Sequence, residues 1–138
     1  MINPLTHGDS AKAIETYKVE PYVVAADVYT AKGHVGRGGW TWYTGSASWM
    51  YRVGLEHLLG FTREGDVLRI NPSVPDAWPE FEISYRFGNA VYDITVKNPS
   101  LVRKRGARVS VDGVERTSNS IPLIDDGQRH VVVVQSAL

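Results

Sequence analysis

Apolar residues follow a helical spacing in the first part of the chain. Ser10 carries the hydroxyl of a helix N-cap, and good helix formers follow it from Ala11 to Tyr17. Tyrosines and alanines then recur at i, i+3, i+4 and i+7, which predicts a second helix over Pro21–Thr30. A third helix is expected to begin at Ser46. It carries two apolar stripes, so it needs neighbours on both sides.

After Gly60 the spacing of apolar residues changes to a period of two. Short alternating runs joined by turn dipeptides such as Gly88-Asn89 and Asp112-Gly113 are typical of β-hairpins. The predicted strand pairs are Phe81–Phe87 with Tyr92–Val96, Ala107–Val111 with Val114, and Ile121–Ile124 with His130–Val134. We therefore predict an α+β protein. Residues 1–62 form N-terminal helices and a loop rich in glycine and aromatic residues, and residues 63–138 form an antiparallel β-sheet or small sandwich.

The composition limits the classes of partner. Fifteen Lys and Arg balance fifteen Asp and Glu, so no global field attracts nucleic acid or an anionic membrane. The absence of cysteine excludes disulfides and cysteine-based zinc sites. No apolar run reaches the roughly 20 residues of a membrane helix, and Met1–Ser10 lacks the pattern of a signal peptide. We expect a soluble, cytoplasmic segment without membrane contact.

The segment Gly38–Ser46 is the most informative part of the sequence. It combines flat aromatic surfaces suited to pyranose rings, the Thr44 hydroxyl, and backbone amides at the start of a helix, where an anion is favoured. Its aromatic residues are Trp40, Trp42 and Tyr43, and Trp49 and Tyr51 follow shortly after. In the alternative interpretation, the indoles fill a core and Thr44 caps the helix. Composition alone leaves both interpretations open.

Histidine and carboxylate positions define neither a metal site nor a catalytic site. The four histidines show no i, i+4 pair and no HExxH pattern, so metal binding is not expected. His34 lies beside the glycine loop, where it faces a cleft or makes a local hydrogen bond. The carboxylates considered for glycoside chemistry are Glu20, Asp27, Glu56 and the pair Asp125-Asp126. None of them stands out as a general acid, and Glu20 is expected to accept a hydrogen bond at the helix break.

Eight motifs occur along the chain in a specific order. They are Asn3-Pro4, Tyr17–Val23, Gly38–Ala47, Trp49–Arg52, Leu68–Pro72, Trp78-Pro79, Phe81–Ile83 and Ile121–Gly127. Together they resemble the C-terminal part of the inverting glycoside phosphorylases, which form glycoside hydrolase family 94 and were formerly called glycosyltransferase family 36. The similarity covers nearly the whole chain, and motifs of this length and order are specific.

The resemblance implies a fold and a reaction. Ser10–Gly60 would be the last helices of an (α/α)6 barrel, and the chain from Val67 onward would be a C-terminal β domain. Members of the family cleave β-glucosidic bonds by phosphorolysis with inversion. In this reaction a carboxylic acid protonates the leaving oxygen, and inorganic phosphate attacks the anomeric carbon directly.

The resemblance also implies roles for particular residues. Thr44 and Gly45 correspond to the family's phosphate-holding threonine and glycine, and Trp40, Trp42 and Tyr43 would form a wall near the sugar pocket. Inorganic phosphate is the implied co-substrate, and no other cofactor is implied. The family's general-acid aspartate, phosphate-binding histidine and sugar-binding arginines belong to segments upstream of Asn3. This chain is therefore expected to supply no catalytic residue.

We expect the parent protein to be a glycosyltransferase or phosphorylase acting on β-1,2-glucan. This chain would contribute a phosphate-binding wall but no general acid, and it would be inactive in isolation. The alternative is a self-standing carbohydrate-binding β module without catalysis. Self-association is also expected, because Tyr22, Trp49, Met50 and Val53 would otherwise face solvent. The resemblance is compatible with a parent attached to the inner membrane and with this segment on the cytoplasmic side.

Overall fold

The computed structural model describes residues 3–20, 22–42 and 44–137, with the side chain of residue 44 left out. The chain divides into two compact units, Met1–Arg52 and Val53–Leu138, which we call the N-terminal unit and the C-terminal unit. The N-terminal unit contains a 3₁₀ helix (Pro4–His7), α1 (Ala11–Tyr17), β1 (Asp27–Val28), β2 (Gly38–Gly39) and α2 (Thr44–Arg52).

The C-terminal unit begins with a π-helix at Val53–Leu58 and is otherwise dominated by strands. Its strands are β3 (Phe61–Glu64), β4 (Val67–Ile70), β5 (Glu80–Phe87), β6 (Ala90–Lys97), β7 (Ala107–Val111), β8 (Val114–Glu115), β9 (Ser120–Pro122) and β10 (Arg129–Ser136), and α3 (Pro99–Arg105) lies between β6 and β7. The observed architecture is therefore α+β, as the change of hydrophobic period predicts.

Helix α1 begins and ends where its capping residues dictate. The Ser10 hydroxyl accepts a hydrogen bond from the Ala13 amide at 3.2 Å, which confirms the predicted N-cap. At the other end Lys18 adopts a left-handed conformation with φ of 56°, and its amide donates to the Ile14 carbonyl at 2.9 Å. The last helical residue, Tyr17, is completely buried.

The predicted helix over Pro21–Thr30 is wrong. Pro21 lies outside the described residues, and the rest of this segment forms a turn followed by β1. The segment contains the β-branched residues Val23, Val24 and Val28, whose stiff side chains favour extended structure. Strand β1 pairs antiparallel with β2, so tertiary pairing overrides the helical spacing of the tyrosines and alanines.

Two sheets and α3 share the hydrophobic core of the C-terminal unit, which is a small sandwich. The strand order is β5-β6-β10-β7-β8 in one sheet and β3-β4-β9 in the other. The predicted hairpin of β5 and β6 is confirmed, with a register running from Glu80 opposite Lys97 to Phe87 opposite Ala90. Alternate residues of β6 are buried, as a strand with one core face requires.

The last two strands do not form the predicted hairpin with each other. Strand β9 joins the smaller sheet, where Ile121 lies opposite Leu68 of β4. Strand β10 runs parallel to β6, with Val132 opposite Ile94, and antiparallel to β7. A central position suits β10 because Val132 and Val134 are completely buried. The sheet is therefore mixed and not purely antiparallel.

The basic segment Arg103–Arg105 forms the last turn of α3, where the sequence indicated a loop. All three side chains are exposed, as expected, while Pro99 and Val102 on the same helix are buried. An amphipathic helix between two hairpins escaped prediction because it contains only two turns.

His130, at the start of β10, joins two turns of the C-terminal unit. Its Nδ1 lies 2.7 Å from a carboxylate oxygen of Asp112, and its Nε2 lies 3.2 Å from Asp126. The ring also stacks on Tyr92 with a centroid distance of 4.7 Å. The hydrogen bond with Asp112 is the main factor that raises the pKa of His130. In return, His130 lowers the pKa of Asp112, whereas the Gln128 amide is the main factor that lowers the pKa of Asp126.

We predict that the C-terminal unit loses stability as the pH rises past the range in which His130 titrates. Because folding raises the pKa of His130, its stabilising effect is complete below the unfolded pKa and is lost as the pH rises through the folded pKa. Circular dichroism melts at about pH 6 and about pH 9 measure this difference. His130→Gln should reduce the difference and the control His57→Gln should not. An undiminished pH effect in His130→Gln would contradict the prediction.

Candidate functional site

Strand β2 forms the start of the segment rich in glycine and aromatic residues. It pairs with β1, with Gly39 opposite Asp27 and Gly38 opposite Val28. Two further backbone hydrogen bonds extend the pairing: the Ala26 amide donates to the Trp40 carbonyl at 3.0 Å, and the Tyr29 amide donates to the Arg37 carbonyl at 2.8 Å. The backbone that leads into the aromatic loop is therefore fixed on both sides of β2.

Gly38 and Gly39 are buried and leave no room for a side chain. A methyl group on Gly38 would lie 2.5 Å from Val19 Cγ2 and 2.7 Å from the Tyr17 ring. A methyl group on Gly39 would lie 2.3 Å from an Asp27 carboxylate oxygen and 2.8 Å from the Tyr29 ring. These two glycines serve close packing, a role that the sequence does not reveal because the tyrosines are distant along the chain.

The loop after β2 presents two indoles to solvent from a strained backbone. Trp40 and Trp42 have positive φ angles of 35° and 61°, a region that bulky side chains rarely adopt. Their exposed fractions are 75% and 67%, so the core-filling interpretation of these indoles is wrong for the described chain. Strain of this kind is concentrated at binding and catalytic sites, where the surrounding structure maintains it.

Glu20 holds the indole of Trp42 in place. The Trp42 Nε1–H donates to a Glu20 carboxylate oxygen at 3.3 Å, and Tyr22 packs edge to face against the same indole with centroids 6.4 Å apart. The backbone amide of Glu20 and then the Trp42 indole lower the pKa of this carboxyl group. An ionised acceptor does not act as a general acid, which agrees with the structural role expected from its position at the helix break.

Helix α2 begins at Thr44, two residues before the predicted start, so Thr44 and Gly45 form its first turn. The first amides of a helix have no partner within the helix and carry a partial positive charge. Gly45 is partly exposed, whereas Tyr43 and the Thr44 side chain lie outside the described residues. Farther along α2, Trp49 is 66% exposed and has the Arg52 guanidinium 5.5 Å from its ring centre.

The remaining carboxylate candidates have local roles within their own units. Asp27 lies opposite Gly39 in the pairing of β1 with β2, and Glu56 belongs to the π-helix of the C-terminal unit. Asp125 accepts a hydrogen bond from the Asn89 amide at 2.7 Å, and Asp126 belongs to the His130 cluster.

Neither a metal centre nor a membrane span is found in the described part of the chain. Its His, Asp and Glu residues form no group of three or more that could hold a metal ion. None of its helices is long and apolar enough to cross a membrane.

These features define an α+β protein whose N-terminal unit presents exposed indoles at the start of a helix, a surface chemistry suited to carbohydrate. Residues 1–60 match the family model described as the catalytic domain of the glycosyl hydrolase 94 superfamily. Together with the similarities reported below, this match shows that the chain belongs to glycoside hydrolase family 94, and it confirms the resemblance inferred from the motifs.

Three curated relatives illustrate the similarity. The chain is 48% identical over 100 residues to cyclic beta-(1,2)-glucan synthase NdvB of Rhizobium meliloti (strain 1021), covering 72% of this chain and 4% of the relative. It is 30% identical over 116 residues to solabiose phosphorylase of Paenibacillus borealis, covering 83% and 15%. It is 32% identical over 114 residues to N,N'-diacetylchitobiose phosphorylase of Vibrio furnissii, covering 81% and 14%. The chain thus spans less than a sixth of the length of each of these relatives.

We predict that Gly38→Ala destabilises the N-terminal unit by about 1–3 kcal/mol, because the added methyl group would overlap Val19 and Tyr17. Urea unfolding followed by tryptophan fluorescence measures this loss, since three of the four tryptophans lie in this unit. Gly54→Ala in the C-terminal unit is a control for the glycine-to-alanine change itself, since a methyl group there meets no atom within 4 Å and no loss is expected. Equal stability of Gly38→Ala and the wild type would show that β2 does not need the close contact.

Proposed function

We propose that the N-terminal unit forms part of the sugar- and phosphate-binding site of a glycosyltransferase or phosphorylase that acts on β-1,2-glucan. The observation that carries this proposal is the placement of Thr44 and Gly45 in the first turn of α2, directly after a loop with exposed indoles. This segment lies within the residues that match the family's catalytic domain.

The start of α2 is suited to inorganic phosphate, which a phosphorylase uses as its co-substrate. Unpaired backbone amides of a first helical turn point toward a bound anion, and the helix dipole favours negative charge there. Two of the relatives are named phosphorylases. By the resemblance of the motifs, Thr44 and Gly45 would correspond to the residues that hold the phosphate. The proposal includes no cofactor besides this co-substrate.

The exposed indoles are suited to the apolar faces of sugar rings. Trp40 and Trp42 stand beside the start of α2, and the bond to Glu20 fixes the orientation of the Trp42 indole. By the family motif, Tyr43 would belong to the same wall. The relative named as a cyclic beta-(1,2)-glucan synthase supports β-1,2-glucan as the saccharide.

In the proposed reaction, phosphate attacks the anomeric carbon while an acid protonates the leaving glycosidic oxygen. The bond to the leaving oxygen breaks, the bond to the phosphate oxygen forms, and the configuration inverts. Glu20 is not assigned as the acid, because hydrogen bonds to its carboxylate lower its pKa. This chain is therefore proposed to supply a wall of the site and not the proton donor.

A second candidate function is carbohydrate binding without catalysis. The exposure of the indoles favours it as well, since a flat aromatic surface is all that ring stacking requires. In the described C-terminal unit, Trp78 is the one exposed aromatic residue, at 45%. The aromatic platform of such a protein would therefore lie in the N-terminal unit and not on the β sandwich.

We predict that Thr44→Val weakens the binding of inorganic phosphate at the start of α2 about tenfold by removing a hydroxyl donor, measured by the shifts of the amides of residues 44–46 in the ¹⁵N-labelled chain at low ionic strength. The control Thr30→Val removes a threonine hydroxyl elsewhere in the N-terminal unit and should have no effect. Glucan binding that survives Thr44→Val and is lost in Trp40→Ala, without phosphate shifts at residues 44–46, would favour the carbohydrate-binding alternative.

We also propose that the exposed aromatic side chains of the N-terminal unit are covered by a second copy of the chain. Tyr22, Trp49 and Tyr51 are 73%, 66% and 71% exposed, and exposed apolar groups of this size favour association.

Light scattering coupled to size exclusion should therefore show a mass above that of the 15.3 kDa monomer. Trp49→Lys should shift the population toward the monomer, because a charge would be buried in the contact, whereas Trp78→Lys should not. A wild-type chain that is monomeric at all concentrations would refute self-association.

A further inference from the structure

A hollow of about 270 Å³ in the N-terminal unit is lined by basic side chains. Its lining residues are Thr16, Lys18, Gly33, His34, Val35 and Arg37. None of them is acidic. We propose that this hollow binds a small phosphate-type oxyanion, as a site separate from the start of α2.

The end of α1 fixes one side of the hollow. Lys18 is the C-cap of the helix, and its left-handed φ of 56° is unusual for a long side chain. Its amide is held by the Ile14 carbonyl at 2.9 Å. The hydrogen bond therefore holds the Lys18 backbone at the edge of the hollow, although a left-handed conformation is energetically unfavourable for this residue.

The loop that follows β1 fixes the opposite side. The His34 amide donates to the Ala31 carbonyl at 2.9 Å, and the Arg37 amide donates to the His34 carbonyl at 3.0 Å. Gly36 has a positive φ of 86°, and a methyl group there would lie 2.9 Å from Thr16 Cγ2. The loop thus lies directly on α1, so Lys18 of the helix end and His34 and Arg37 of the loop line one hollow.

The basic residues of this hollow lack the carboxylate partners that four other cations of the described chain have. Arg69, Lys104, Arg108 and Arg129 each form an ion pair. Lys18, His34 and Arg37 form none with any residue that the structure describes. Lys18 and Arg37 carry the same charge, and a bound anion would relieve the repulsion between them.

The donor set and the shape of the surface favour phosphate chemistry. An arginine guanidinium binds a phosphate through two parallel hydrogen bonds, and a lysine adds a point charge. A second hollow of about 290 Å³ shares Thr16 and is lined further by His7, Ser10 and Lys12. This adjacent space would accommodate the organic group of a phosphate monoester, so both inorganic phosphate and glucose 1-phosphate are suitable probes.

The test is a titration of the full ¹⁵N-labelled chain with inorganic phosphate and, separately, with glucose 1-phosphate, at low ionic strength. We expect amide shifts at residues 16–18 and 33–37 with a Kd of about 1 mM, as a solvated site of a few charges allows. Arg37→Gln should weaken binding at least fivefold. Lys32→Gln is the matched control, since Lys32 is an exposed cation near this loop that does not line the hollow.

Two comparisons decide the outcome. Binding at the hollow should persist in Thr44→Val, which separates it from the proposed phosphate contact of α2. Shifts confined to residues 44–46, equal affinities in Arg37→Gln and Lys32→Gln, or no shift at all would overturn the proposal. If Arg37→Gln loses its dispersed spectrum, Lys18→Gln provides the same comparison. Tighter binding of glucose 1-phosphate than of phosphate would support a monoester as the ligand, and equal binding would support the free anion.

Discussion

The contact between β2 and the rings of Tyr17 and Tyr29 exists only because Gly38 and Gly39 have no side chains. That contact brings the backbone of β2 against α1 and β1, and it fixes where the next residue, Trp40, begins. If β2 were displaced, the hydrogen bond from the Ala26 amide to the Trp40 carbonyl would be lost with it. The position of the exposed indoles thus depends on the close packing of Gly38 and Gly39 against the two tyrosine rings.

The two units of the chain use their apolar residues in different ways. In the C-terminal unit, the alternation along β6 and β10 places valine and isoleucine in one shared core. In the N-terminal unit, large aromatic residues such as Trp40 and Trp49 remain in solvent. Burying an indole is strongly favourable, so exposing several of them in one segment is a cost that binding a ligand or a partner would offset. This contrast is one reason why we propose a binding role for the N-terminal unit.

In this chain, sequence patterns predict the elements that depend on neighbouring residues. They fail for elements whose structure depends on pairing with residues far away in the sequence. The cap at Ser10 and the hairpin of β5 and β6 rest on interactions between neighbours in the chain, and both are confirmed. The helix expected over Pro21–Thr30 fails because pairing with Gly38–Gly39 overrides a weak helical spacing. The partner strand of Ile121 cannot be predicted from its own turn, since Leu68 lies far back in the sequence. Chain-local rules contain no information about such partners.

The hydrogen bonds and charge clusters of the candidate site likewise depend on residues that are distant along the chain, so the sequence alone does not predict them. The sequence predicts a helix start at Ser46, close to Thr44 and Gly45, but it does not show that Glu20 accepts a hydrogen bond from Trp42, 22 residues away. A net charge of zero likewise hides an uneven distribution, because Lys18, His34 and Arg37 gather around one hollow, whereas Lys104 and Arg129 are paired with carboxylates. The net charge sums over the whole chain, so it does not reveal a local cluster of positive residues that could bind an anion. The two proposed anion sites would respond differently to salt. Salt screens exposed charges such as those of Lys18 and Arg37 more strongly than it weakens short contacts with the backbone amides at the start of α2.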